Sequence, residues 1–155
     1  MIQKENLFVS DWVKSKHYHC ITAWHVLEHL RSPQDFLKQA HASLTQNGVL
    51  VIALPNCASW DAQHYQADWA AYDVPRHLWH YTPKGIKLMA KDCGFECIIQ
   101  YPLRLDAYYI ALLSEKIRQS SFPWIRAVVQ GARSNCKGNR TGMYSSLIYV
   151  FKKAK

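Results

Sequence analysis

Residues Tyr18–Asn56 read "YHCITAWHVLEHLRSPQDFLKQAHASLTQNGVLVIALPN", and the order of patterns inside this stretch decides the fold. It opens with Cys20-Ile21-Thr22-Ala23-Trp24, β-branched and uncharged, as a strand covered on both faces should be. It closes with Val49-Leu50-Val51-Ile52-Ala53-Leu54, an apolar run stopped by Pro55. A central parallel strand needs such a run because neither of its faces meets water. Between them, Ser32-Pro33-Gln34-Asp35 supplies a helix start: a hydroxyl that can cap, a proline suited to the first position, and an acid that can accept a backbone N–H. Phe36, Leu37, Ala40 and Leu44 follow at near-helical spacing, and Asn47-Gly48 predicts a left-handed stop. Strand, helix, strand is the unit of an α/β sheet.

Working outward, Leu7-Phe8-Val9 with Ser10-Asp11 predicts a further short strand and its turn. From Pro55 to Thr82 runs a long loop rich in Trp, Tyr, His and Asp; such a loop in a compact domain is functional or mobile. Thr82-Pro83 begins a second helix that Gly94 stops, and Phe95 to Ile99 forms a strand. Asp106 to Arg118 and Phe122 to Arg133 predict two amphipathic helices. "SNCKGNRTG" (Ser134–Gly142) then reads as a polar loop before a last strand, Ser145 to Lys152.

The bulk numbers bound the function. With 155 residues, 49% hydrophobic and 19% charged, the chain is one globular domain rather than a disordered one. A net charge of +8 admits acidic ligands, nucleic acid or an anionic membrane surface. No nucleic-acid module accompanies it, so no such partner is expected. Five cysteines without a C-x-x-C, behind a start with no long apolar run, predict reduced thiols and a cytoplasmic protein. The longest uncharged tract, His41 to Trp60, is broken by Asn47-Gly48 and Pro55-Asn56, which argues against a membrane span.

Two clusters carry chemistry. His25, Glu28 and His29 form H-x-x-E-H, the spacing of one zinc-peptidase class. A metal-dependent hydrolase of this kind needs a helix of more than two turns and a third ligand. Here a strand runs straight into His25 and the helix starts only at Ser32, so the spacing counts against it. The second cluster is Asp73-Val74-Pro75-Arg76-His77. A histidine can take a proton near neutral pH and an arginine can hold an anion, which makes His77 and Arg76 catalytic candidates. The plainer alternative pairs Arg76 with Asp73 and uses His77 to fix the loop. Trp60, Trp69, Tyr72, Trp79 and Tyr81 either line an aromatic acceptor pocket or cover the sheet's edge. Tyr108, Tyr109, Leu112 and Leu113 beside Lys116 and Arg118 suit an amphipathic acceptor or peripheral membrane contact, or else pack on their own domain.

Three stretches together resemble the class I S-adenosylmethionine-dependent methyltransferases. The opening stretch is similar to that family's fourth strand, following helix and fifth strand. "DVPRHLWHYTPKGIKLMAKDCGFE" (Asp73–Glu96) resembles the segment that follows in one bacterial branch, and "SSLIYVFKK" (Ser145–Lys153) resembles the closing antiparallel strand. In "LEH" the chain is also similar to ubiquinone-biosynthesis O-methyltransferases. The resemblance implies an α/β, Rossmann-like class I sheet, here incomplete with its first strands missing, forming a single partial methyltransferase domain over 1–155. It implies an aromatic active-site loop over 55–82 and a helical, substrate-covering insertion over 106–133 before the last antiparallel strand. S-adenosylmethionine would lie along the carboxyl ends of the strands, where open α/β sheets bind ligands. Its methyl group would pass to a small-molecule or lipid-like acceptor.

Residue by residue, the resemblance puts Asp11 at the adenine, Trp12 among the cofactor-binding residues, and Trp24 and His25 beside the methionine portion. It also implies a divalent cation on Glu28 and His29, with His25 standing where the ubiquinone branch has a carboxylate. The departure is the cofactor turn. None of the 6 glycines forms G-x-G-x-G, and the acid that ends the family's second strand is missing with it. A truncated or split enzyme is therefore expected, with a second copy or a partner chain supplying strands. The alternative is a non-catalytic interaction or remnant domain.

Overall fold

The structure, a computed structural model, describes residues 17–154. Four strands, β1 (Tyr18–Trp24), β2 (Leu44–Pro55), β3 (Phe95–Pro102) and β4 (Ser146–Lys153), form one sheet in the order β1-β2-β4-β3. β1 and β2 are parallel, and β4 runs antiparallel to both β2 and β3. Helix α1 (Pro33–Ser43) joins the parallel pair. The apolar run of β2 sits between two partners, Leu50 pairing with Ile21 on one side and Phe151 on the other. Leu50, Ile52, Ala53 and Leu54 are fully buried, so β2 is the central strand its composition predicts.

Helix α3 (Pro83–Asp92), following α2 (Trp60–Tyr65), starts at a capping bond from Gly85 N–H to the Thr82 hydroxyl (3.0 Å) and ends near Gly94 at φ 84°. Its Ile86 and Ala90 meet Phe36, Leu37 and Ala40 of α1 over Phe95, Tyr149 and Phe151 in the main core. The five cysteines are all free.

Three expectations are corrected. β1 is not covered on both faces: Ala23 alone is buried, while Cys20, Thr22 and Trp24 are exposed, because β1 is an edge strand among the described residues. Asn47-Gly48 does not stop α1, which ends at Ser43 without a left-handed residue. It lies in a bulge of β2, where the register moves from Tyr18↔Leu44 to Cys20↔Val49. Gly48 is needed there for close approach, since a Cβ would stand 2.9 Å from the Tyr18 carbonyl oxygen. The polar stretch "SNCKGNRTG" is mostly helical: α5 (Pro123–Thr141) runs through it to Gly142 at φ 74°. Small residues on one row (Ala127, Gly131, Ser134, Gly138) let that helix lie close to α4 (Asp106–Ile117) and to Tyr144.

The segment between Pro55 and Thr82 carries structure of its own. It contains α2 and two 3-10 turns, Gln66–Asp68 and Ala70–Tyr72. Tyr65 and Trp69 are fully buried there, packed with Ala62 and Ala71 against Ile110, Ala111 and Ala127 in a second core. Asp61, also fully buried, accepts from Trp69 Nε1 (2.9 Å), Ser134 Oγ (2.7 Å) and Ser145 Oγ (2.6 Å). Three donors around one carboxylate tie α2, α5 and β4 together and offset its desolvation. Tyr65 OH donates to Glu115 (3.0 Å) under the Arg118 guanidinium, 4.7 Å from the ring centroid. Among the described residues no helix is long and apolar enough to cross a membrane.

Candidate functional site

Where β1 ends, the chain turns at His25 with φ 51°, and His25 N–H donates to Ala53 O on β2 (3.0 Å). This left-handed conformation, uncommon outside glycine, sets the imidazole between two carboxylates. Nε2 meets Asp106 Oδ2 at 3.1 Å. Nδ1 lies 3.3 Å from Glu28 Oε1, close enough for ion pairing but out of line for a hydrogen bond. Asp106, and then Glu28, raise the pKa of His25 to about 9, so the ring is an imidazolium at neutral pH.

Glu28 and His29 follow on a single 3-10 turn, Leu27–His29. The peptidase geometry is therefore absent: no two-turn helix carries His25 and His29 on one face, and His25 is bound to carboxylates instead. The turn is stitched to the segment after the second cluster. Leu78 N–H donates to Glu28 O (2.7 Å), Trp79 Nε1 to Leu30 O (2.8 Å) and Tyr81 OH to Leu27 O (3.3 Å). These bonds bring His77 to His29, ring centroids 4.6 Å apart and edge-to-face. Two residues far apart in sequence thus share one wall.

The tautomers follow from the partners, because a carbonyl can only accept. His77 Nδ1–H donates to Ala71 O (2.8 Å) and His29 Nδ1–H to Arg76 O (3.0 Å), so Nε2 is the nitrogen each ring has left to offer, that of His77 lying 3.8 Å from Asp73 Oδ2. Glu28 is 1% exposed, and neither of its carboxylate oxygens has a hydrogen-bond partner among the described residues. One ligand atom each of Glu28, His29 and His77 lies within 4.8 Å of the others. Arg76 points Nε and Nη2 at Asp73 Oδ1 (3.0 and 2.6 Å), so the pairing of the plainer reading is present.

A cleft of about 480 Å³ opens over this wall, with His25, Asp73, Arg76 and His77 on one side and Tyr109, Ile110 and Leu113 of α4 on the other. It lies at the carboxyl ends of β1 and β2, and Pro55 is part of its floor. Trp24, half exposed, ends β1 immediately before His25 and is not itself part of the cleft lining. Asp11 and Trp12 lie outside the described residues. Of the loop aromatics, Trp69 and Tyr81 are buried, Trp60 stacks on His64, and Trp79 donates to Leu30 O, and none of these four lines this cleft. Asp106 is the residue that reading the sequence missed. It reads there as a helix's first residue, and no spacing rule links it to His25.

A family model described as a methyltransferase domain matches residues 1–100. Among curated proteins none matches. Among solved structures, an S-adenosylmethionine-dependent methyltransferase of Thermotoga maritima is 11% identical with a TM-score of 0.58, over 90% of this chain and 58% of that one. The cyclopropane synthase of Mycobacterium tuberculosis is 16% identical with a TM-score of 0.53, over 89% of this chain and 56% of that one. The magnesium protoporphyrin IX methyltransferase of Synechocystis, solved with S-adenosylhomocysteine bound, is 10% identical with a TM-score of 0.50, over 90% of this chain and 46% of that one. At these identities the likeness is one of fold, and the chain spans about half the length of the structures it matches.

Proposed function

The chain belongs to the S-adenosylmethionine-dependent class I methyltransferase family, and from that premise we propose that it binds the methyl donor at the carboxyl ends of β1 and β2 and methylates a small-molecule or lipid-like acceptor. The observation that carries this reading is the cleft on which His25, Arg76 and His77 converge.

The residues present suit the methionine end of the donor. The His25 imidazolium can pair with a carboxylate, and the exposed Trp24 indole offers a π-face to a sulfonium cation. By resemblance, Asp11 takes the adenine end and Trp12 is among the cofactor-binding residues. When bound, S-adenosylmethionine supplies an electrophilic methyl group. The chain's own work is to hold the acceptor in line, exclude water and remove a proton. His77 serves as the base at Nε2, with Ala71 O fixing its tautomer. Arg76, braced by Asp73 at the cleft mouth, holds an anionic group of the acceptor. Tyr109 and Leu113 cover the acceptor from the insertion, residues 106–133, and the structured segment 55–82 forms the floor. β1's outer edge, unpaired among the described residues, is where a partner chain, a second copy or further strands would complete the sheet.

Calorimetric titration with S-adenosylhomocysteine tests this. Saturable binding supports it. In a parallel titration S-adenosylmethionine, which carries the sulfonium that S-adenosylhomocysteine lacks, should bind about two- to fivefold more weakly to Trp24→Ala, the scale of one exposed cation–π contact. No heat at millimolar ligand would favour the non-catalytic interaction domain.

A second reading rests on one specific observation. Glu28, His29 and His77 offer a buried carboxylate without hydrogen bonds and two rings whose Nδ1–H groups are held by backbone carbonyls, the outer-shell arrangement that orients metal-binding histidines. A divalent cation held there would orient acceptor oxygens. Titration with Co²⁺ should give visible absorption bands that disappear in His77→Ala; spectra that stay blank remove the cation.

A further inference from the structure

The end of α4, the turn after it and the first half of α5 form an outward apolar surface that nothing in the methyl-transfer reading uses. Phe122 at the tip of the turn is 74% exposed, and Trp124 and Ile125 are 65% exposed each. α5 turns its small row, Ala127, Gly131, Ser134 and Gly138, toward the protein. Trp124 and Val128 form the adjoining row at four-residue spacing, and Ile125 and Val129 the next, all four exposed. Exposed apolar side chains scattered singly need no explanation, but a contiguous stripe on one helix face marks a contact surface.

The charge beside the stripe is mainly positive, with Arg118 alone, among the described residues, paired to an acid of another segment, Asp68 (3.0 Å). Residues 103–145 hold seven Lys and Arg against two acids, Asp106 and Glu115. Both acids are withdrawn from the surface, Asp106 against His25 and Glu115 buried beneath Tyr65 OH. Lys116 Nζ stands 5.3 Å from the Trp124 ring centroid, and Arg126 and Arg133 are exposed on the same helix, flanking the Ile125 and Val129 row. Farther along the same helix, Arg133, Lys137 and Arg140 line a depression of about 290 Å³ with Trp60. Aromatic and aliphatic side chains at one end and cations along the flank are what an interfacial helix presents to acyl chains and anionic headgroups.

We propose that this face docks on the surface of an anionic phospholipid bilayer, with Phe122, Trp124 and Ile125 entering the headgroup boundary while Lys116, Arg126 and Arg133 meet lipid phosphates. A neutral protein surface would match the stripe but not its cations, which is why the lipid is the favoured occupant. Docked this way, the stripe leads back along α4 through Leu113 and Tyr109 to the mouth of the cleft. The docking itself does not depend on methyl transfer and stands or fails separately from it.

The test is flotation of the full chain with phosphatidylcholine vesicles that contain phosphatidylglycerol, and with phosphatidylcholine vesicles alone. Flotation separates binding from aggregation, because aggregates sediment. The protein should float with the anionic vesicles, be released by high salt, and stay down with neutral ones. Trp124→Glu combined with Ile125→Glu should reduce the floated protein at least about tenfold, with unchanged circular dichroism and thermal midpoint. Lys116→Glu, a milder variant, should reduce it at low salt. Flotation equal on both vesicles, or unaffected by the double substitution, would overturn the proposal. So would a stable dimer in gel filtration that the double substitution dissociates without any flotation, since a second copy would then cover the face.

Discussion

At His25 one imidazole joins the end of β1, the turn that follows it and the first residue of α4. Its folded pKa of about 9 lies above the ordinary value of about 6.5. The bonds therefore contribute stability that is complete below about pH 6.5 and is lost as pH rises through about 9. The ring is more than a third exposed, so solvent screening keeps the effect modest. Urea midpoints across that window should fall for the unaltered chain and change less for His25→Asn; parallel curves would contradict the pairing. Asp61 is the stronger anchor. Asp61→Ala strands a buried indole N–H and two hydroxyls, and chemical denaturation should show a loss of at least about 3 kcal/mol. Neither role can be read from local sequence, because each acid's partners lie on other elements. His77 and Arg76 differ in this respect: their residue types alone marked them.

At the scale of elements, the sequence reading succeeded where periodicity and punctuation agree. The apolar run of β2 and the capped α3 were both read this way. It failed where tertiary contact overrides local signal. Asn47-Gly48 looks like a helix stop, yet the nearness of Tyr18 O makes it a strand bulge. Ser134–Thr141 looks like a loop because it is polar and has glycine, yet its small residues are what a helix packed closely on its neighbours needs. Gly131 puts that to the test. A Cβ there would stand 2.9 Å from Tyr108 Cα, which is backbone and cannot swing aside. Gly131→Ala should cost about 1–3 kcal/mol, read as a lowered thermal midpoint, despite alanine's better helix propensity. A neutral or stabilising result would mean α4 and α5 are not in contact as described.

At the scale of the molecule, two cores meet along one cleft. The sheet core carries the strand ends, and the second core carries the α4 wall of Tyr109, Ile110 and Leu113. The second core was hidden in the sequence because Trp69 looks like a pocket aromatic until Asp61 is found pairing it. The central claim is that this cleft receives the methyl donor at Trp24 and His25. It is tested most directly by nuclear magnetic resonance on protein carrying ¹⁵N-labelled tryptophan and histidine, titrated with S-adenosylhomocysteine. The Trp24 indole and His25 imidazole signals should shift and saturate together while the Trp124 indole stays in place. Signals that remain still at millimolar ligand, or shifts confined to Trp124, would contradict it.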